Sequence, residues 1–336
     1  MPTLAIVKKF NVSFDASYAP VAVFVGGTSG VGQGMVEAFA RSVHGRAHII
    51  IVGRNGYAAA DIIARLPRPD EDGWKHEFVS CDASLMANVR ALCAEIRAKV
   101  KRINFLVITT GYSSMVNIGI TSEGLDLHLA LRYYQRYVFI HELLPLVQAA
   151  HSLSEDSKIL CVLGAGRGSP KRPIDLNNLG NTVNPRAGGF TVALRSMIAS
   201  SGYTDAMLAH FAAQNPGIAF THIHPGVVRT PTMGADFSGL LTPVSWLINF
   251  ILHFIAVPQE ECAEHMLYAL FNGERGLFLR DRYGDVVSAL EFEAPVELGE
   301  SVETSVLNGV PMKGYGASDI GVRRIIEHSE TVTRTK

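Results

Sequence analysis

The feature that most constrains the fold is an alternation of short apolar runs with longer helical patterns along most of the chain. Rich in Val, Ile and Phe, these runs are apolar nearly throughout, as strands buried on both faces of a parallel sheet are. Their repeated alternation with helices predicts an α/β fold built on a doubly wound parallel sheet. The predicted strands are 21–25, 48–52, 76–80, 104–109, 158–163 and 218–223, and the helices between them are 32–43, 58–66, 85–100, 124–150 and 190–214.

The same pattern indicates one large domain with an addition at each end. The alternation starts after residue 19 and stops after Pro225, where a loop and an apolar helix follow. We therefore expect a single domain over 20–285, an N-terminal arm at 1–19 and a C-terminal extension at 286–336. Within these bounds the sequence also predicts an apolar helix at 236–257, a helix at 259–271, a strand at 276–279 and a closing helix near 318–327.

Charge and cysteine content exclude several classes of function. The chain carries 30 Lys and Arg against 31 Asp and Glu, so it offers no basic surface and we expect no nucleic-acid partner. Its 4 cysteines are scattered without a Cys-x-x-Cys pair, which predicts no metal site and is typical of a reduced, cytoplasmic protein. The apolar run 240–257 is broken by Pro243 and is barely long enough for a bilayer. Contact with a membrane surface is left open but not favoured.

A glycine-rich turn, Val25-Gly26-Gly27-Thr28-Ser29-Gly30-Val31-Gly32, directly follows the first predicted strand and opens the first helix. Glycines allow the backbone to bend sharply and to approach a pyrophosphate without Cβ atoms in the way. The amides at the start of the helix then bind the phosphate charge. This placement predicts a dinucleotide site rather than a turn alone. The expected cofactor contacts are Gly26, Thr28, Ser29, Gly30, Val31 and Gly32.

The second predicted strand ends at Val52-Gly53-Arg54-Asn55, where a dinucleotide fold faces the adenosine ribose. An acidic residue here would accept the free 2′-hydroxyl of NAD, whereas the guanidinium of Arg54 matches a 2′-phosphate. We therefore expect NADP as the cofactor, with contacts from Arg54 and Asn55. The alternative is that Arg54 is a solvated surface residue.

Three further motifs follow the ends of predicted strands. They are Cys81-Asp82-Ala83 after the third, Thr109-Thr110-Gly111 after the fourth and His224-Pro225-Gly226-Val227-Val228-Arg229-Thr230 after the sixth. With the glycine turn, they make the chain from about residue 20 to 279 resemble the short-chain dehydrogenase/reductase family.

The resemblance implies a Rossmann-type fold and assigns roles to the motif residues. Asp82 and Ala83 would lie at the adenine and Gly111 beside the adenosine ribose. The nicotinamide carboxamide would be held by Pro225, Gly226, Val227 and Thr230. Family members often form homo-oligomers, which leaves such an assembly open here. The segment 236–257 would cover the substrate, and its composition suits an apolar small molecule; dimer packing or membrane-surface contact are the alternatives for this helix.

The catalytic positions depart from the family pattern. The family reduces carbonyls with a tyrosine, an adjacent lysine, a serine and a helix asparagine. Here Leu163-Gly164-Ala165-Gly166 stands where the serine is expected, Arg132 stands at the asparagine position, and the chain contains no Tyr-x-x-x-Lys. The usual proton relay is therefore missing.

Two residues are candidates to replace it. Tyr203 is on the helix that should carry the tyrosine and lysine, but an unassisted phenol has a pKa of about 10 and is a slow acid at neutral pH. Arg132 carries a permanent charge that can polarise a carbonyl. The alternatives are a packing role for Tyr203 and a solvated position for Arg132.

These features predict an atypical NADP(H)-dependent oxidoreductase that acts on an apolar carbonyl or unsaturated carbonyl. Two alternatives stay open on the sequence. One is a non-redox cyclase or isomerase on the same fold, in which the pocket orients the substrate. The other is a catalytically silent nucleotide-binding protein.

Overall fold

The computed structural model describes residues 1–70, 73–111, 119–166, 174–180, 189–230, 255–291, 293, 295 and 319–334, and for 189–194 and 319 it describes the backbone alone.

A sheet of eight strands forms the centre of the described chain. The strands are β1 (Val21–Val25), β2 (His48–Gly53), β3 (Lys75–Ser80), β4 (Phe105–Ile108), β5 (Lys158–Val162), β6 (Ala219–Ile223), β9 (Gly276–Arg280) and β10 (Val286–Leu290), while β7 (Val228–Arg229) and β8 (Val257–Pro258) form a separate parallel pair. Their order is β10-β9-β6-β5-β4-β1-β2-β3, and every neighbouring pair except β9 and β10 is parallel. The strand order reverses between β1 and β4, where doubly wound folds bind ligands at the carboxyl ends of the strands.

Helices cover both faces of this sheet and confirm the predicted fold class. They are α1 (Leu4–Val12), α2 (Gly30–Ser42), α3 (Gly56–Arg65), α4 (Met86–Lys99), α5 (Leu127–Leu129), α6 (Gln135–Ser152), α7 (Gly189–Gln214), α8 (Gln259–Asn272) and α9 (Asp319–Thr333), and a π-helical segment, Ala130–Tyr134, joins α5 to α6. The core on one face includes α2, α3 and α8, and the core on the other includes α4, α6, α7 and α9. Strands β1, β4 and β5 are buried along their whole length, as their unbroken apolar sequences predict.

The N-terminal arm contains a helix that the sequence reading did not predict. Val7 and Asn11 lie four residues apart on α1, and both are buried against the domain. The Asn11 side chain donates to the backbone carbonyl and to Oε2 of Glu264 on α8, at 2.9 and 2.8 Å. Phe14 follows the helix and stacks on Phe271, with ring centroids 4.1 Å apart.

Past residue 285 the chain continues the same sheet. Strand β10 pairs antiparallel with β9, so the predicted domain boundary falls inside a strand connection. Further along, α9 packs on the face of the sheet that α4, α6 and α7 cover, where the Ser329 hydroxyl lies 2.7 Å from the Tyr133 hydroxyl. None of the helices within the described ranges has the length and apolarity to cross a bilayer. Most of the predicted helix 236–257 lies outside those ranges.

Candidate active site

The glycine turn is a cradle of bare backbone between β1 and α2. Gly26 has φ +88° and Gly30 has φ +54°, both in the left-handed region that favours glycine. The Gly26 amide donates to the Val52 carbonyl at 2.8 Å, which fixes the turn to the end of β2. A Cβ on Gly32 would lie 2.2 Å from the Gly26 carbonyl oxygen, so no larger residue fits there.

Two of the predicted partner segments meet this turn. The Thr109 hydroxyl donates to the Val25 carbonyl at 3.0 Å and lies 2.4 Å from the position of a Cβ on Gly32. From the other side, the Thr230 methyl group lies 3.3 Å from the position of a Cβ on Gly30. The structure therefore brings the glycine turn, the end of β4 and the segment after β6 to one place.

Polar groups at this place fit a phosphorylated nucleotide. Ser29 is the N-cap of α2, yet its hydroxyl caps no backbone amide of the helix. The Thr110 hydroxyl is buried and has no hydrogen-bond partner within the described part of the chain. A helix N-terminus whose amides face a bare glycine turn binds anions readily. The residues present therefore match a dinucleotide.

Arg54 lies at the rim of an open cleft of about 910 Å³ beside the turn. The cleft is lined by Thr28, Ser29, Arg54, Asn55, Gly56, Tyr57 and Ala60. Asn55 uses its Oδ1 to accept from the Ala58 amide at 3.1 Å, so this side chain caps α3. Arg54 and the 90% exposed Tyr57 face solvent, which leaves the guanidinium accessible to a ligand in the cleft.

Asp82 follows β3 and shapes its own loop. Its Oδ1 accepts from the amide and the hydroxyl of Ser84, at 3.0 and 2.8 Å. The Cys81 amide donates to the Gly53 carbonyl at 2.8 Å, which joins this loop to the end of β2, next to Arg54. Ala83, in the same loop, is buried. Gly111, at the end of β4, has open space where a Cβ would be.

The turn after β6 is held from both sides. Gly226 has φ +75°, and a Cβ there would meet the Arg282 side chain at 3.0 Å. The Val227 carbonyl accepts from the Val257 amide at 2.9 Å, and the Pro225 carbonyl lies 3.7 Å from Cys262 Sγ. These contacts fix the segment that the resemblance assigns to the carboxamide.

Arg132 lies in the π-helical segment, a feature that is frequent at functional sites. Its Nε donates to the Ser200 hydroxyl on α7 at 3.0 Å. Burial, reinforced by the nearby charge of Arg136, lowers the pKa of Arg132 to about 10, so the guanidinium stays charged at neutral pH. Arg132 is thus a largely buried cation and not a solvated helix charge.

Tyr203 lies in an aromatic cluster rather than beside the glycine turn. It is only 2% exposed and packs edge to face on Tyr133, with centroids 5.2 Å apart. Burial raises the pKa of Tyr203 to about 12. A backbone hydrogen bond at Gly180 lowers this pKa, but by less than burial raises it. A raised pKa makes the phenol a weaker acid at neutral pH. Its role as a proton donor stays a prediction.

Sequence reasoning missed the burial of Arg136, which lies fully buried one turn after Arg132. The neighbouring sequence could have indicated this burial. The four residues directly after Arg136, Tyr137-Val138-Phe139-Ile140, are apolar and indicate a buried stretch of helix. It also missed His222, which is buried on β6 and contacts both Asp205 and Gly164. Two further cations in the segment after β5, Arg167 and Lys171, lie outside the described residues.

Comparison with known proteins decides the family. The family model of the KR domain matches residues 21–118. An oxidoreductase of Emericella variicolor, andH, is 34% identical over 269 residues, which cover 80% of this chain and 74% of that protein. An oxidoreductase of Emericella nidulans is 32% identical over 252 residues, covering 75% and 70%. The chain belongs to the short-chain dehydrogenase/reductase family.

Solved structures of other short-chain dehydrogenases/reductases share the fold. A 3-ketoacyl-(acyl-carrier-protein) reductase from Brucella melitensis, complexed with NADH, aligns with a TM-score of 0.52 at 18% identity, covering 76% of this chain and 92% of that chain. Levodione reductase aligns with a TM-score of 0.54 at 14% identity, covering 75% and 90%. In this chain Gly164 and Ala165 follow β5, and Arg132 lies in the π-helical segment.

Proposed function

We propose that this short-chain dehydrogenase/reductase is an NADP(H)-dependent oxidoreductase that reduces an apolar carbonyl or unsaturated carbonyl compound. The observation that carries the proposal is the bare glycine cradle at Gly26–Gly32 with Arg54 on the adjoining cleft. The cradle suits a pyrophosphate and the guanidinium suits a further phosphate on the ribose.

The preference for NADP(H) rests on Arg54. The described cleft has no carboxylate among its lining residues, so no negative charge of that lining would repel a 2′-phosphate. Charge-assisted hydrogen bonds contribute roughly 1.5–3 kcal/mol, which corresponds to about 10- to 100-fold in affinity. The start of α3 at Gly56 adds amides on the same side of the cleft.

When bound, the nicotinamide would supply the hydride. The chain's own residues hold and orient the reactants: the glycine turn binds the pyrophosphate, and the segment after β6 holds the ring end. Arg132 would donate hydrogen bonds to the oxygen that becomes negative as the hydride adds, because its charge persists at neutral pH, and that oxygen would then take its proton from water. The Ser200 hydroxyl holds the Arg132 guanidinium in place from α7.

An apolar substrate is supported by the sequence of the segment expected to cover it. Residues 246–252, Trp-Leu-Ile-Asn-Phe-Ile-Leu, are almost entirely apolar. Pockets of this composition bind ligands by burying apolar surface, at about 0.8 kcal/mol per methylene. In a series of aldehydes or enones of increasing chain length, kcat/KM with NADPH should rise about fourfold per added methylene. A flat series would contradict an apolar substrate.

Cofactor choice is tested with the variant Arg54→Ala. We expect its affinity for NADPH to fall about 10- to 100-fold and its affinity for NADH to change by less than about threefold. Arg65→Ala, an exposed arginine at the far end of α3, is the matched control and should leave both affinities unchanged. Equal losses for NADPH and NADH in the Arg54 variant would contradict the role assigned to Arg54.

Turnover separates the proposal from its alternatives. An oxidoreductase consumes NADPH in proportion to product, which is measured by loss of absorbance of the reduced nicotinamide and by product analysis. Product formed without NADPH consumption would show a cyclase or isomerase instead. Nucleotide binding without turnover over a broad panel of carbonyls would show a catalytically silent protein.

A further inference from the structure

Arg136 carries a fully buried guanidinium whose two terminal nitrogens donate to four backbone carbonyls. Its NH1 donates to the carbonyls of Leu131 and Arg132 on its own helix, at 3.2 and 2.6 Å. Its NH2 donates to the carbonyl of Thr110 and, at 3.1 Å, to that of Val162. The last two carbonyls belong to two different strand ends.

The guanidinium therefore lies where β4 and β5 diverge. The last residues that pair between these two strands are Ile108 and Cys161; Val162 follows directly, and Thr110 lies two residues after Ile108. This is the carboxyl edge of the sheet, which carries the glycine cradle. Thr110 also borders the cradle itself, because its amide nitrogen lies 2.9 Å from the position of a Cβ on Gly26. Thr110 thus lies between the buried guanidinium of Arg136 and the candidate cofactor site.

The positive charge has no anionic partner within the described ranges. No carboxylate of the described chain lies within 4.0 Å of Arg136, and its Nε has no hydrogen-bond partner there. Burial lowers the pKa of Arg136 to about 10, so the group is charged at neutral pH. A buried cation that dipoles surround, without a carboxylate beside it, projects a positive potential onto its surroundings.

We propose that Arg136 makes the site discriminate between the two redox forms of its cofactor, so that NADPH binds more tightly than NADP⁺ and the protein works as a reductase. This inference rests on the proposed function. The two forms carry the same phosphates and differ in the ring, which is cationic in NADP⁺ and neutral in NADPH. A fixed positive charge at the carboxyl ends of β4 and β5 therefore disfavours the cationic ring of NADP⁺ and not the neutral ring of NADPH, while its attraction for the phosphates is the same in both forms.

The expected size of the effect follows from Coulomb's law. Two unit charges about 10 Å apart, in a medium of effective dielectric constant about 20, change a binding constant roughly tenfold. Tighter binding of NADPH fills the site with the hydride donor even when NADP⁺ is present. Weaker binding of NADP⁺ speeds its release after hydride transfer. Both consequences favour reduction of the substrate.

The test compares the affinities of the full chain for NADPH and NADP⁺ by titration calorimetry. We expect the wild type to bind NADPH at least about tenfold more tightly, and Arg136→Met to reduce this ratio to within about threefold. Arg136→Lys keeps the charge and should keep most of the ratio. Lys158→Met is the matched control, since Lys158 is a buried cation at the opposite end of β5 and donates to the Phe271 carbonyl at 2.6 Å; it should leave the ratio unchanged.

Each outcome has a defined meaning. If Arg136→Met does not fold, Arg136→Gln keeps a donor for one strand carbonyl and should show the same loss of discrimination. A wild type that binds NADP⁺ as tightly as NADPH, or a neutral variant with the wild-type ratio, overturns the inference while leaving the proposed function standing. No binding of either nucleotide to the wild type contradicts the proposed function itself.

Discussion

His222 and Asp205 form a hydrogen bond between two fully buried side chains, with His222 Nδ1 2.5 Å from Asp205 Oδ1. The Gly164 amide donates to the other ring nitrogen, Nε2, at 3.2 Å, so Nδ1 is the nitrogen that carries the proton. Gly164 belongs to the loop that follows β5. The His222 imidazole on β6 thus anchors this loop through the backbone amide of Gly164.

Removing the imidazole alone should be strongly destabilising. His222→Leu leaves the Asp205 carboxylate and the Gly164 amide buried without a partner, which costs about 3–5 kcal/mol in the free energy of unfolding. The double variant His222→Leu/Asp205→Leu removes the buried charge as well and should lose less than the sum of the two single variants. Urea denaturation of the four proteins measures this, and strictly additive losses would show that the pair is not coupled.

Gly32→Ala should abolish nucleotide binding. The new Cβ would lie 2.2 Å from the Gly26 carbonyl oxygen and 2.4 Å from the Thr109 hydroxyl, so the cradle must open. Gly273→Ala is the matched control, because a Cβ there meets only Phe278 and Ala219 at 3.5–3.6 Å, an ordinary contact distance. Calorimetry with NADPH should show a loss of about 100-fold or more for Gly32→Ala and none for the control. Unchanged affinity in a folded Gly32→Ala protein would refute the cradle.

Asn11→Ala should loosen the N-terminal helix. The substitution removes both hydrogen bonds to Glu264 and leaves its buried acceptors unsatisfied, at a cost of about 1–3 kcal/mol. Lys8→Ala, at an exposed position of the same helix, should change stability by less than about 0.5 kcal/mol. Thermal unfolding of the two variants gives the comparison. Equal stability of both would mean that α1 contributes little to the domain.

Stability should fall in mild acid because of His210. Burial lowers the pKa of His210 to about 4, below its ordinary value of 6.5. Between these values the unfolded chain binds a proton that the folded chain does not, so this contribution is present above pH 6.5 and is lost as the pH falls towards 4. His210→Gln should flatten the pH dependence of the free energy of unfolding in that window. His151→Gln, at an exposed position, is the control; identical pH profiles for His210→Gln and the wild type would contradict the assignment.

The sequence predicted the sheet because its strands are buried on both faces. Val21–Val25 has identical bounds in the sequence reading and in the structure, and most other central strands differ by one residue at an end. The glycine turn was equally readable, since glycine at 26, 30 and 32 meets a local steric demand that any chain entering a nucleotide site must satisfy.

Long-range contacts explain what the sequence did not predict. The π-helical segment at Ala130–Tyr134 depends on how that helix packs on α7, which no local pattern encodes. Helix α1 is short and gains its place through Asn11 and Glu264, 253 residues apart. Likewise Arg136 reads as one charge in a helix until the strand carbonyls that surround it are known.

We expect the cradle at Gly26–Gly32 and the neighbouring Arg54 to form a site for NADP(H). The decisive experiment is calorimetric titration of the full chain with NADPH and with NADH. NADPH should bind saturably at a single site, and NADH should bind about 10- to 100-fold more weakly. No heat with either nucleotide, or equal affinity for both, would contradict it.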